Sequence, residues 1–334
     1  MATVPDLSVI MSVNNGAAYL YPCIQSILHQ SFENFEFLIV DDGSNDNSAD
    51  IVKTLANSDS RIKLVARENR GLVASLNELI DLARTPVLAR MDADDIAMPD
   101  RFAKQMAYLV GHPGVGIIGS NTHDLDEDGH IIGTTENYPL HPNEVRKMLK
   151  CGVPVCHPAV MMRTDIIRKT GGYRAAFRHA EDYDLWLRAS LQTDIANLPE
   201  RLLLYRRSAG QISQKYALEQ AKAAAVAWLD HVRCSKGLPS LFDDVTSLPA
   251  IEDLDRLFDD TEATAFVRRK VVERMRYSKE LLQGPEFALM LRQVREGRGF
   301  NGSARTILRL ARNGHFFRAL ALAAALAGLL VSSS

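Results

Sequence analysis

Two clusters of carboxylates follow apolar runs in the first hundred residues: Asp41-Asp42 after FEFLIV, and Asp92-Ala93-Asp94-Asp95 after PVLARM. Acids this close repel one another unless a cation offsets them, and hard oxygen ligands suit Mn2+ or Mg2+. Mg2+ typically uses one or two protein carboxylates together with substrate phosphates. The 92–95 cluster therefore reads as a metal–diphosphate site, although a D-x-D alone is weak because acidic turns are common on surfaces. The Asp41–Asp46 turn (DDGSND) could accept hydrogen bonds from a base N–H or ribose hydroxyls. The same residue types are also default turn and cap formers. A third acidic pair, Glu181-Asp182, opens the amphipathic stretch EDYDLWLRASL. A carboxylate in the first turn of a helix is kept ionised by the dipole and can accept a proton, and capping explains it as well. Asp184 is expected to face elsewhere, and Leu185, Trp186 and Leu187 to pack. His157 before Pro158 reads as a hydrogen-bonded structural histidine, and Gly171-Gly172-Tyr173 as a tight turn.

Some machinery is absent from the sequence. It has no G-x-x-x-x-G-K-[ST] loop, no G-x-G-x-x-G after the first apolar run and no G-x-S-x-G elbow. P-loop, dinucleotide and serine-nucleophile chemistry are thereby disfavoured. Any phosphate must be held by a metal rather than by a glycine-rich backbone cradle.

The elements that position these acids alternate in period. Short β-rich runs at 7–13, 35–40, 62–65, 86–91 and 115–120 are separated by helical spacing at 19–30, 46–56, 71–83 and 99–110. That alternation predicts an α/β fold with a mainly parallel central sheet and helices on both faces. Ligands of such sheets bind outside the carboxyl ends of the strands, where both clusters fall. Further on, Asp128-Gly129 reads as a hairpin turn, 143–150 as a short helix, 181–191 as a helix and 201–205 as a late strand. After about Gln214 only helices are expected, with 235–250 a linker or irregular connection.

Length and composition agree with this division. At about 150 residues per domain, 334 residues suggest two domains. Apolar residues at 46% and charged residues at 24% exclude a disordered chain. Four cysteines without a C-x-x-C pair form no dense disulfide framework or zinc site, which favours a reduced, cytoplasmic setting. The first residues carry no basic, apolar leader pattern. Net charge is −2, yet residues 261–318 hold thirteen Lys or Arg against five Asp or Glu. Arg305, Arg309, Arg312 and Arg318, with Phe316, Phe317 and the apolar run 319–331, suggest peripheral contact with an anionic membrane surface. The run is too short to span a bilayer. A buried or dimerising helix is the plain alternative, and nothing points to nucleic acid.

Taken in order, LSVIMSVNNGAAYL, FLIVDDGSNDNS, ENRGLVASLNELI, ARMDADDIAMPDRF, VCHPAVMMR, GGY and AEDYDLWLR closely resemble the family 2 glycosyltransferases of bacteria, inverting enzymes of the GT-A fold. The resemblance covers about residues 5–215. It implies a GT-A, Rossmann-like catalytic domain over 1–215 and leaves 216–334 as a helical C-terminal region. By the same resemblance, Asp41, with Asp42 nearby, binds the base or ribose of a nucleotide sugar, with a UDP-sugar the expected donor. Ser12, Asn14 and Asn69 join the donor site, and Asp92, Asp94 and Asp95 form the Mn2+ or Mg2+ motif. Arg206 is expected at the donor, with Arg207 or Gln211 as further phosphate contacts. Asp182 matches the catalytic base and Glu181 its acidic neighbour. Ser12-Val13-Asn14-Asn15 replaces the family's usual Pro-x-Tyr-Asn, leaving Tyr19 as the nearest ring to cover the base, and Ser208 stands where relatives place a histidine. The expected function is sugar transfer to a glycan or lipid-linked acceptor in surface polysaccharide assembly, at the inner face of the plasma membrane. The alternatives are a catalytically silent homologue acting as an assembly partner, or another nucleotide-sugar-using transferase.

Overall fold

Strands that read as unbroken apolar runs bury both faces and so belong in the middle of a parallel sheet. In the computed structural model, which describes residues 5–134, 137–208, 216–296 and 302–332, three of the first four strands behave this way and the third lies at the edge. β1 (Leu7–Val13), β2 (Phe35–Asp42), β3 (Ile62–Arg67) and β4 (Val87–Asp92) lie parallel in the order β3-β2-β1-β4. Between them run α1 (Ala17–Leu28), α2 (Ser48–Ser58) and α3 (Leu72–Leu82). Chain order reverses at β1, which pairs with β2 on one side and β4 on the other. A crevice opens at such a switch point. Leu20, Cys23, Ile24 and Ile27 of α1 join Val9, Met11, Phe37 and Met91 of the strands in one buried core.

The second half of the sheet is more mixed than the sequence pattern suggests. It comprises β5 (Ile96–Ala97), β6 (Val115–Leu125), β7 (Ile131–Gly133), β8 (Met161–Arg163) and β9 (Asp194–Arg206), with α4 (Arg101–Gly111), α5 (Pro142–Leu149), α6 (Thr164–Lys169) and α7 (Glu181–Ala189). β8 runs antiparallel to both β4 and β6, and β6 pairs parallel with β9. The strand expected at 201–205 is the second half of β9. Its first half escapes pattern reading because Asn197 and Pro199 interrupt the apolar run, and the ladder shifts register beside Ser120–Asn121. The Asp128-Gly129 turn closes the β6–β7 hairpin, with Gly129 at φ 90°.

Two compact units emerge, one of residues 1–175 and 181–211 and one of 176–180 and 212–334. The second unit contains α8 (Ala217–Ser235), α9 (Leu254–Phe258), α10 (Ala263–Met275), α11 (Lys279–Gln283), α12 (Phe287–Arg295), α13 (Ser303–Arg312) and α14 (Phe316–Ser332). No strand occurs there among the described residues. The stretch 235–250 is irregular but packed rather than a free linker. Phe242 is buried with its ring against Phe177 and Phe258, and Asp230 accepts hydrogen bonds from the Ser240 hydroxyl and the Leu241 N–H.

Candidate active site

Backbone register fixes where the first acids stand. Ser12 is paired with Val40 on one side and Asp92 on the other, and Val13 with Asp41. The carboxylates therefore end their strands instead of lying in the turns beyond them. Asp41 is buried; its Oδ1 accepts the Ser44 N–H at 2.8 Å and its Oδ2 is buried without a hydrogen-bond partner. A buried acceptor left open costs free energy until a donor reaches it, so Asp41 fits an N–H or hydroxyl donor on a ligand.

Asp42 is committed differently. Its two oxygens accept the Arg70 and Gly71 N–H groups, each at 2.8 Å, and Arg67 ion-pairs with it. Its carbonyl accepts the Nδ2 groups of Asn14 (2.8 Å) and Asn69 (2.9 Å). The three residues thus shape the loops after β1, β2 and β3 around one another. Gly43 is required at the meeting point: its φ is 71°, and a Cβ there would stand 2.6 Å from the Asn69 nitrogen. Ser12 is partly exposed beside Asp92.

Asp92, Asp94 and Asp95 each place an oxygen within 4.8 Å of the others. Burial and the neighbouring Asp92 push the Asp94 carboxyl up to about 6. Asp95 is also displaced upward, by burial first and then by Asp92 and Asp94. Its Oδ1 accepts the Arg206 N–H, and its Oδ2 is buried without a partner. Mutually repelling carboxylates with a spare buried oxygen fit a divalent ion, whose charge removes the repulsion. Asp126, Asp128 and His130 on the hairpin are similarly close together but largely exposed.

Arg206 does not reach outward. Its Nε donates to the Asp94 carbonyl, its Nη1 to the carbonyls of Asp126 and Glu127, and its guanidinium lies 4.2 Å over the Tyr19 ring. It clasps the 92–95 loop to the hairpin, and Tyr19 is occupied by that stacking. Arg207 donates to Asp124, Ser208 is partly exposed, and Gln211 lies outside the described residues.

Asp182 stands in the first turn of α7, accepting the Tyr183 N–H at 2.7 Å on Oδ1. Burial in the cleft raises its carboxyl above the ordinary range, the Tyr183 hydrogen bond and Arg90 oppose this, and Asp92 adds to it. Asp182 and Asp92 therefore act on one another. Glu181 precedes it, partly exposed. Asp184 is buried in ion pairs with Arg174 and Arg188, facing away as expected. Arg188 also donates to the carbonyls of Thr170 and Gly172, tying the glycine turn to α7. Gly172 has φ 65°, and a Cβ there would meet the Asn77 oxygen at 2.6 Å.

Two features escape motif reading. Arg90 is a buried arginine on β4 with both ends of its guanidinium on Asp92. Residues two apart on a strand share a face, so the period of β4 puts Arg90 and Asp92 together. His157 lies with its Nε2 2.7 Å from the Tyr173 hydroxyl and its ring edge-on to Trp186. Burial and Arg90 hold the imidazole well below its usual range, and so neutral. Tyr173 in turn feels Asp182, Glu181 and Asp92. A histidine that the sequence presents as structural is thus within the electrostatic reach of Arg90.

Comparison with known proteins agrees. Residues 8–171 match the model of glycosyl transferase family 2. The O-antigen biosynthesis glycosyltransferase WbnJ of Escherichia coli is 34% identical over 227 residues, covering 66% of this chain and 86% of that one. TarS of S. aureus, solved with UDP-GlcNAc, superposes with a TM-score of 0.59 at 16% identity over 94% of this chain and 89% of that chain. The mannosyltransferase PcManGT of Pyrobaculum calidifontis, solved with GDP-Man and Mn2+, gives 0.53 at 15% identity over 100% and 89%. The fold is GT-A, and the chain belongs to glycosyl transferase family 2.

Proposed function

We propose that residues 1–215 form a catalytic domain that moves a sugar, with inversion, from a nucleotide-sugar donor to a glycan or lipid-linked acceptor in bacterial surface polysaccharide assembly. The observation that carries this reading is the joint placement of a three-carboxylate cluster with an open Asp95 oxygen and of Asp182, which feels Asp92. UDP is the preferred nucleotide, consistent with the UDP-GlcNAc bound by TarS. A polysaccharide acceptor is consistent with the O-antigen role in WbnJ's name.

In this reading Asp41 accepts a hydrogen bond from the base or ribose through its open Oδ2, with Ser12 beside the donor. Asn14, Asp42 and Asn69 act by holding the nucleotide loops in shape. Asp92, Asp94 and Asp95 would hold Mn2+ or Mg2+, and Arg206 fixes the loop that carries them. When bound, the ion neutralises charge developing on the leaving diphosphate. Asp182 takes the proton from the acceptor hydroxyl as that oxygen attacks the anomeric carbon opposite the leaving group. Glu181 supplies a second negative charge at the entrance. Attack from the opposite face inverts the centre, and no covalent enzyme intermediate forms.

The protein works on the cytoplasmic side, with its C-terminal tail at the inner leaflet. No described helix is long and apolar enough to cross a membrane. The decisive experiment is a thermal-shift and hydrolysis screen of UDP-, GDP- and dTDP-sugars with and without Mn2+. A Mn2+-dependent shift with one UDP-sugar is expected. Response to none of the donors would leave an assembly partner as the better reading.

A further inference from the structure

The last two helices form a hairpin whose two faces differ sharply. α13 packs on α14, and Thr306, Leu310, Ala319 and Leu322 are buried. On the other side Leu308, Phe316, Phe317 and Leu320 are 70%, 62%, 91% and 67% exposed. Ala324 and Ala327 are exposed at the following helical positions. Arg305, Arg309 and Arg312 are exposed on α13, and residues 297–334 contain no Asp or Glu. Arg318 is occupied, donating to the carbonyls of Leu282 and Gly284. Two adjacent phenylalanines held in water are unfavourable unless something covers them.

We propose that this hairpin is a docking surface for an anionic lipid leaflet, with Phe316, Phe317 and Leu320 entering the acyl boundary and Arg305, Arg309 and Arg312 meeting the headgroups. A second copy of the chain is disfavoured because a symmetric pairing would set the three arginines against themselves. The 17 residues of α14 extend about 25 Å, short of the roughly 30 Å hydrocarbon core, so the helix lies in the interface. The inference rests on the proposed function only for its purpose, which is to bring the donor site to a lipid-linked acceptor.

The test is co-flotation of the full chain with phosphatidylcholine vesicles lacking or containing phosphatidylglycerol. Each basic residue near an anionic surface contributes about 1 kcal/mol, or roughly five-fold in partitioning. Changing Arg305→Gln, Arg309→Gln and Arg312→Gln together is therefore expected to weaken binding to anionic vesicles about a hundred-fold. Phe316→Ser with Phe317→Ser is expected to abolish what remains at high salt, with helicity preserved by circular dichroism. Equal binding to both vesicle types, or none, overturns the proposal. So does a solution dimer that the Phe316→Ser/Phe317→Ser variant dissociates. Thermal shift with UDP in the absence of vesicles reports on the donor site separately, so failure of either reading is recognised without the other.

A separate observation supports a second inference. Arg90 is 4% exposed in its side chain and holds Asp92, 32% exposed, at both guanidinium ends, while its Nε has no partner. We infer that Arg90 is a resident counter-ion that occupies Asp92 and weakens cation binding until a donor diphosphate arrives with its ion. Arg90→Met is expected to bind Mn2+ ten-fold or more tightly without donor, measured by calorimetry. Arg90→Lys, which keeps the charge, is expected to stay within about three-fold of the parent. Unchanged or weaker Mn2+ binding by a folded Arg90→Met protein overturns the idea, as does tightening by Arg90→Lys of the same size.

Discussion

Replacing Asp182 by Asn separates proton acceptance from everything else this side chain does. The amide oxygen can still accept the Tyr183 N–H that Oδ1 accepts at 2.7 Å, so the start of α7 is preserved and the stability change stays within about 1 kcal/mol. The lost function is that of a general base, worth about 10²–10⁴ in rate. At about 1.36 kcal/mol per ten-fold, this raises the barrier by roughly 3–5 kcal/mol. Donor affinity changes little, because the contact open to a nucleotide is on Asp41, not on α7. The assay is UDP release at saturating UDP-sugar and Mn2+, with UDP affinity measured in parallel by calorimetry. Since the cleft raises the Asp182 carboxyl, the parent loses activity on the acid side at higher pH than an ordinary carboxylate would allow. The Asn variant lacks that acid limb. An Asn variant that keeps a tenth of the parental kcat, or loses UDP binding while kcat survives, would refute the assignment.

Other consequences of the site are equally direct. Asp94→Ala is expected to raise the Mn2+ concentration needed for donor binding at least ten-fold, read by thermal shift across a Mn2+ titration. Asp41→Asn puts an amide where an open acceptor stands and is expected to weaken UDP binding by about ten- to a hundred-fold, measured by calorimetry. Without metal, Asp94 is raised to about 6 and Asp95 is raised as well, both by burial and by their acidic neighbours. The folded state then binds more protons than the unfolded one, so stability is expected to rise as pH falls from about 7 towards 5. Added Mn2+ at pH 7 is expected to raise Tm, a gain that shrinks at pH 5, both read by calorimetric melts.

The sequence is most informative where one physical cause dominates. β1, β2 and β4 are legible because strands buried on both faces must be apolar throughout, so the acids that end them stand out. β8 is three residues long and the first half of β9 holds Pro199, so neither displays a period. The acids at 92–95 and Asp182 stand out by type and position. The commitments of Asp42 and Arg206 are not, because their partners come from loops at 67–71 and 126–127, brought near only by folding. Arg90 was hidden inside a strand whose other residues are core, although its two-residue offset from Asp92 was visible.

The pairing of Ser12 with Asp92 and of Val13 with Asp41 has a geometric consequence. Main-chain hydrogen bonds serve as a ruler that sets the distance between Asp41 and Asp92, indifferent to which side chains occupy the loops. Substitutions confined to those loops leave that spacing unchanged. A slip of one residue in the β1–β4 ladder, by contrast, would put Met91 opposite Ser12 where Asp92 now stands.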